Sequence, residues 1–232
     1  MATIEIVYTF EDQNGGKFIY PILIDKKTGC LISEGQWIQP GWTTLENCQC
    51  TVCPLSRERY PNCPIAVNID GLVEYFKDFY STDKMRITVT TEERTYFKEA
   101  PAQKGLASIL GVIMATSGCP IMDFLRPMAK YHLPFSTSEE TIIRSTSMYL
   151  LAQYFVSKKG GKPDMSLDKL NRAYGDVQLI NEGMCARIAT VAKKKDATGN
   201  AVIILHALSQ LLGMAIEDKL DSLESLFEEI QL

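Results

Sequence analysis

Histidine is nearly absent from this 232-residue chain, which has only His132 and His206. A site with three histidine ligands is therefore excluded, and so are the di-iron bundles, which need paired Glu-x-x-His motifs. The sequence also lacks the HExxH motif of metalloproteases, the GxSxG motif of serine hydrolases and a glycine-rich phosphate loop. Any metal that this chain binds must therefore rely mainly on sulfur ligands.

Long apolar runs and a basic excess are also missing. The longest apolar runs, around 109–115 and 201–208, are far shorter than the roughly 20 residues that span a bilayer. The first ten residues show no signal-peptide pattern. The formal charge is -4, from 24 Lys+Arg against 28 Asp+Glu, so no surface for nucleic acid is indicated. We therefore expect a cytoplasmic protein that binds neither a membrane nor nucleic acid.

Strand patterns fill the first hundred residues. Residues 3–10 alternate apolar and polar side chains, and a turn at residues 14–16 leads to a second apolar run at 17–24, which predicts a β-hairpin. Pro21 has no backbone N–H, which places the second strand at the edge of a sheet. The same kind of pattern predicts a helix at 67–79 and strands at 85–91 and 94–100.

Helical patterns replace them from Lys104 onward. We expect one helix up to about Ser117, a second from Pro120, and a third behind a capping box formed by Ser136 and Glu139. Beyond 158–163, apolar residues recur at alternating steps of three and four, which is typical of a helix seam. The seam comprises Leu167, Leu170, Tyr174, Val177, Asn181, Met184, Ile188 and Val191.

These patterns predict an α+β fold. Residues 1–103 form an antiparallel β-sheet with a cysteine-rich loop and a helix, and residues 104–232 form a C-terminal helical bundle of about five helices. We expect the two parts to share one core. Asn181 is the polar exception in the seam, and such a residue often fixes helix register or the number of partners.

The strongest chemical signal is a set of four cysteines within sixteen residues: Cys48, Cys50, Cys53 and Cys63. A Cys-x-x-Cys loop places two thiolates around one ion, and a second pair completes a tetrahedral shell that suits zinc. We predict that these four bind one zinc ion that serves folding. Cys119 replaces Cys48 in this set if the following helix start folds over the loop.

Two alternatives to zinc remain open. Cys53, Cys63 and Cys119 are each followed by proline, an arrangement also found around iron–sulfur ligands, so an iron–sulfur cluster competes with zinc. Free cysteine is also among the most buried residue types, so the second alternative is that several of these thiols are ordinary buried residues without a metal.

Cys119 forms a second candidate site on its own. With Pro120 at the first helical position, Cys119 occupies the N-cap, where the helix dipole favours a thiolate and lowers the pKa of an exposed thiol. Arg126, Asp123 and His132 lie in the same segment and supply a charge or a base. No nucleophile signature surrounds Cys119, and we assign no catalytic residue.

Three segments resemble a family of uncharacterised bacterial proteins of similar length. They are CQCTVCPLSRERYPNCPIAVN at 48–68, ATSGCPIMDFLRPMAKYHLPF at 115–135 and STSMYLLAQYF at 145–155. The resemblance implies a bacterial cytoplasmic protein and carries no reaction and no functional residue with it.

Two functions therefore compete. The first is a zinc-stabilised, non-enzymatic binding or interaction module whose helical part meets an unknown protein partner or forms a homo-oligomer. The second is a redox protein that uses an iron–sulfur cluster or the reactive thiol of Cys119. The type of metal distinguishes them.

Overall fold

The structure, a computed structural model, describes residues 2–32, 40–192 and 196–228. Its N-terminal part is a four-stranded antiparallel sheet with the strand order β2-β1-β3-β4. The strands are β1 (Thr3–Glu11), β2 (Lys17–Asp25), β3 (Lys84–Thr90) and β4 (Thr95–Pro101). All four predicted strands are confirmed to within about a residue or two at each end. Pro21 lies in the edge strand β2, as its missing N–H requires.

Helices make up most of the rest of the described chain. They are α1 (Pro64–Phe76), α2 (Ala102–Thr116), α3 (Arg126–Lys130), α4 (Ser138–Lys158), α5 (Asp168–Ala189), α6 (Ala197–Glu217) and α7 (Asp221–Glu224). Short 3-10 helices lie at Gly41–Thr43 and Asp123–Leu125. The antiparallel sheet followed by helices confirms the predicted α+β class.

Three predicted helix starts differ from the structure. Helix α1 begins at Pro64 because proline suits the first helical position, three residues before the predicted start. Pro120 begins a turn, and regular α-helix follows only at Arg126. The capping box before α4 is formed by Thr137 and Glu140, because the Thr137 hydroxyl accepts from the Glu140 N–H at 3.1 Å and the Glu140 carboxylate accepts from the Thr137 N–H.

One apolar core joins the sheet to the helices. The inner sheet face supplies Ile6, Tyr8, Phe10, Ile22, Ile24, Ile87 and Val89, and these residues form one cluster with the buried faces of α1, α2, α5 and α6. The predicted seam is buried from Leu167 to Ile188, including Asn181. The division of the chain at residue 103 stays a prediction.

Helix α6 is the one described helix that is long and apolar enough to cross a membrane by length and composition. It packs against α2 and α5, and a core helix passes the same test. Its outer face also carries exposed apolar side chains, Ile203 and Met214 among them. Its composition therefore does not decide where the protein resides.

Candidate functional site: a buried cluster of cysteines

Two cysteines are placed by helix starts and turns. Cys63 is the N-cap of α1, and its N–H donates to the Thr43 carbonyl at 2.8 Å. Cys119 follows Gly118, which has a φ of 86° that glycine adopts without strain. The Met122 N–H donates to the Cys119 carbonyl at 3.0 Å, which closes the turn that follows. Both side chains are buried, because each lies at a point where the chain turns into the core.

Cys50 and Cys53 lie on one turn of the preceding loop, where the Cys53 N–H donates to the Cys50 carbonyl at 3.0 Å. The Cys50 side chain packs against α5: its Sγ lies 3.9 Å from the Ile180 carbonyl oxygen. A Cβ atom added at Gly183 would lie only 2.5 Å from the same sulfur. The glycine therefore makes room for Cys50, and α5 becomes one wall of the site.

The structure brings Cys50, Cys53, Cys63 and Cys119 within electrostatic reach of one another; we call these four the cysteine cluster. Burial, followed by the nearby thiols of Cys63, Cys53 and Cys119, raises the pKa of Cys50 to about 12. Burial likewise raises the pKa of Cys119 to about 11. The nearby backbone N–H groups of Ile121 and Met122 act in the opposite direction, and the thiols of Cys63 and Cys53 add smaller increases. Without a metal, Cys50 and Cys119 are therefore protonated at neutral pH.

The cysteine cluster is looser than a formed single-ion site. No group of three or more histidine, cysteine, aspartate or glutamate side chains in the described ranges is placed to hold a metal ion. A tetrahedral zinc site with Zn–S bonds of about 2.3 Å requires sulfurs roughly 3.8 Å apart. Binding one ion would therefore require the 50–53 loop to tighten around it.

Cys48 differs from the other three cysteines of the predicted set. It has a left-handed backbone, with a φ of 52°, and its thiol faces the Asn47 side-chain oxygen at 3.6 Å. Three residues of the predicted set thus come together with Cys119, which the sequence offered as the substitute for Cys48.

Arg187 is a feature that the sequence did not reveal. Its side chain is only 1% exposed, and its guanidinium donates to three backbone carbonyls of the cysteine loop region, those of Trp42 (2.9 Å), Thr44 and Leu45 (3.2 Å). No carboxylate of the described residues forms an ion pair with it. Its positive charge opposes the rise in the Cys50 pKa, so this buried cation lies within reach of the cysteine cluster.

The sequence-based argument for a reactive Cys119 is not supported by this geometry. The thiol is 5% exposed and its pKa is raised, whereas the argument required an exposed thiol of lowered pKa. Arg126 pairs with Asp123, and the His132 Nε2 lies 2.6 Å from the Tyr8 hydroxyl. The nearby polar residues are therefore engaged elsewhere. Cys119 precedes a turn and not the α-helix that the argument assumed, and its sulfur is not exposed.

Comparison with known proteins gives a family and no activity. No curated protein and no solved structure matches the chain. A family model of a domain of unknown function, DUF6901, matches residues 6–228. This confirms the expected membership of an uncharacterised family, while the bacterial origin stays a prediction. The match includes the cysteine cluster, Arg187 and nearly all of the described fold, and the chain therefore belongs to the DUF6901 family.

Proposed function

We propose that the protein is a metal-stabilised binding module in which Cys50, Cys53, Cys63 and Cys119 hold a metal at the junction of the cysteine loop, α1 and α5. The observation that carries the proposal is the convergence of four cysteines from three segments of the chain, two of them buried and two half-buried. They lie within reach of the buried Arg187, which forms no ion pair with a carboxylate of the described residues. Cys119 replaces Cys48 in the ligand set that the sequence predicts.

The charge balance supports a thiolate centre. A metal ion deprotonates its thiol ligands, whatever their pKa without metal. Four thiolates around one divalent ion carry a net charge of about -2. Burying a lone guanidinium is costly, and Arg187 has only carbonyl partners. A negatively charged centre nearby would offset that cost.

Zinc is the first metal that we propose. Four sulfur ligands fill its tetrahedral shell and leave no open position for water or substrate, which is the arrangement of a structural site. Binding would connect the loop from Thr43 to Asn62, which has few apolar residues, to α1 and the turn at Cys119. The metal would therefore serve folding, and the helical part would supply the binding surface.

An iron–sulfur cluster is the second candidate, and two observations favour it. Cys53, Cys63 and Cys119 each precede a proline. In addition, the four cysteines converge without any three of them being placed to hold one ion. A centre with several iron atoms holds its cysteines farther apart than a single ion does. This candidate uses the same four ligands, and it would make the protein a redox protein.

Exposed apolar side chains support the proposed interaction role. The C-terminal half of α4 leaves Leu151, Tyr154 and Phe155 at 53%, 59% and 49% exposure. Large apolar side chains grouped on one surface often mark an interface. We propose that this part of α4 meets a protein partner or a second copy of the chain, and the oligomeric state in solution distinguishes the two.

Metal analysis of the protein purified without oxygen tests the proposal. We expect about one zinc ion per chain and a colourless solution, because four thiolates form one closed site. Iron and inorganic sulfide in equal amounts, with brown colour, would select the iron–sulfur alternative. The absence of a stoichiometric metal from native protein would contradict both candidates.

A further inference from the structure

A partly open cavity of about 400 Å³ lies between α2, the 122–138 segment, α4, α5 and α6, with Lys98 of β4 at its wall. Apolar side chains form most of its wall, including Val112, Leu125, Met128, Val177, Leu205 and Leu208. Small-molecule sites are typically apolar cavities of about 300–1,000 Å³ with a few polar groups that fix the ligand. The cavity has the size and lining of such a site, and it is separate from the cysteine cluster.

Asn181 is the polar group that points to a ligand. It lines the cavity, is 1% exposed, and neither its Oδ1 nor its Nδ2 has a hydrogen-bond partner in the described chain. Two other polar groups of the wall are paired: Ser108 with the Tyr8 hydroxyl at 2.8 Å, and the Tyr174 hydroxyl with Ser145 at 2.8 Å. A buried amide without partners is unfavourable, so a hydrogen-bonding group on a molecule in the cavity would stabilise the Asn181 side chain.

The charged residues of the wall are all cations. Lys98, Lys104 and Arg144 line the cavity, and no aspartate or glutamate from the described ranges does. Arg144 is held in place because its guanidinium donates to the Met128 carbonyl at 3.1 Å and the Tyr131 carbonyl at 2.8 Å. Burial lowers the pKa of His132 to about 3, so this imidazole is neutral at pH 7. The wall therefore favours an anionic ligand.

The two polar ends of the cavity lie apart along α5. Arg144 lies next to Ser145 on α4, and the Ser145 hydroxyl bonds the Tyr174 hydroxyl at 2.8 Å. Tyr174 is on the same face of α5 as Asn181 but two helical turns earlier. Seven residues of helix rise by about 10 Å. A ligand that reaches both ends is elongated.

We propose that this cavity binds an elongated, mainly apolar carboxylic acid whose carboxylate lies at the Arg144 end and whose far hydroxyl or carbonyl group pairs with Asn181. An ω-hydroxylated fatty acid of medium length has this chemistry. The inference goes beyond the metal proposal and does not depend on it.

Calorimetric titration of the full chain with ω-hydroxydecanoate, decanoate and decanol tests the inference. The hydroxy acid is expected to bind at least about ten-fold tighter than either other probe, because each of those lacks one of the two polar groups. Equal binding of the three probes, or binding of none, would overturn the proposal, and this comparison needs no variant.

Variants then test which residue contacts each end of the ligand. Asn181→Leu should remove the preference for ω-hydroxydecanoate over decanoate while raising the melting temperature of the empty protein, because an unpaired buried amide is replaced by an apolar side chain. Arg144→Gln should remove the preference for the hydroxy acid over decanol. Asn171→Leu, on the same helix but not in the cavity wall, should change neither preference. A preference that persists in Asn181→Leu would contradict the assignment.

Discussion

Replacing Gly183 with alanine is expected to release the metal and to lower the free energy of unfolding by about 1–3 kcal/mol, the usual cost of overpacking. The new Cβ would lie 2.5 Å from the Cys50 sulfur and 3.4 Å from the Cys50 Cα. Because both side chains are short, Cys50 must move away from α5 and from the other three thiols. Urea unfolding and metal content, measured on the same preparation, report the two effects.

Gly175 on the same helix provides the matched control. A Cβ added there meets no atom within 4 Å, and alanine has the higher helix propensity. Gly175→Ala should therefore keep its metal and gain up to about 1 kcal/mol of stability. If Gly183→Ala were tolerated as well as Gly175→Ala, the packing of Cys50 against α5 would not be needed for the centre.

Replacing Arg187 with methionine is expected to lower the free energy of unfolding by about 3–5 kcal/mol, the loss typical of breaking a buried ionic network. The carbonyls of Trp42, Thr44 and Leu45 would lose their guanidinium donor, and an unpaired buried carbonyl is costly. Urea unfolding measures the loss, and hydrogen exchange should show faster opening at 42–45. The cysteine loop begins there, so metal affinity should fall as well.

Arg172→Met, at an exposed position on the same helix, is the control for Arg187. Its effect should stay within about 0.5 kcal/mol, as for most surface substitutions. Arg187→Lys should recover only part of the loss, because an ammonium group is a point charge and does not reproduce the planar fork of a guanidinium. Full stability in Arg187→Met would show that the three carbonyls do not depend on this side chain.

Local chemistry explains what was predictable from the sequence. The alternation in residues 3–10 and 17–24 determines which strand face is buried, and the missing N–H of Pro21 fixes the edge position of β2. The three-and-four spacing on α5 identifies its buried face, including Asn181. The prolines after Cys63 and Cys119 mark points where the chain turns into helical structure.

The remaining features depend on tertiary contacts. Whether Cys119 or Cys48 joins Cys50 depends on how the turn after α2 meets the loop, which no local spacing encodes. No local pattern marks Arg187 as buried, because its partners are three carbonyls of a segment that is distant in the sequence. The cap of α4 moved by one residue because the Ser136 hydroxyl lies beside that of Thr141 at 3.3 Å, leaving the cap to Thr137.

The metal content of Cys119→Ser beside that of Cys48→Ser tests the central claim most directly. Cys119 lies within reach of Cys50, Cys53 and Cys63, whereas the Cys48 thiol faces Asn47. The account predicts that Cys119→Ser loses the metal and melts at a lower temperature, while Cys48→Ser keeps about one metal centre per chain. Full metal content in Cys119→Ser, or loss of the metal in Cys48→Ser, would contradict it.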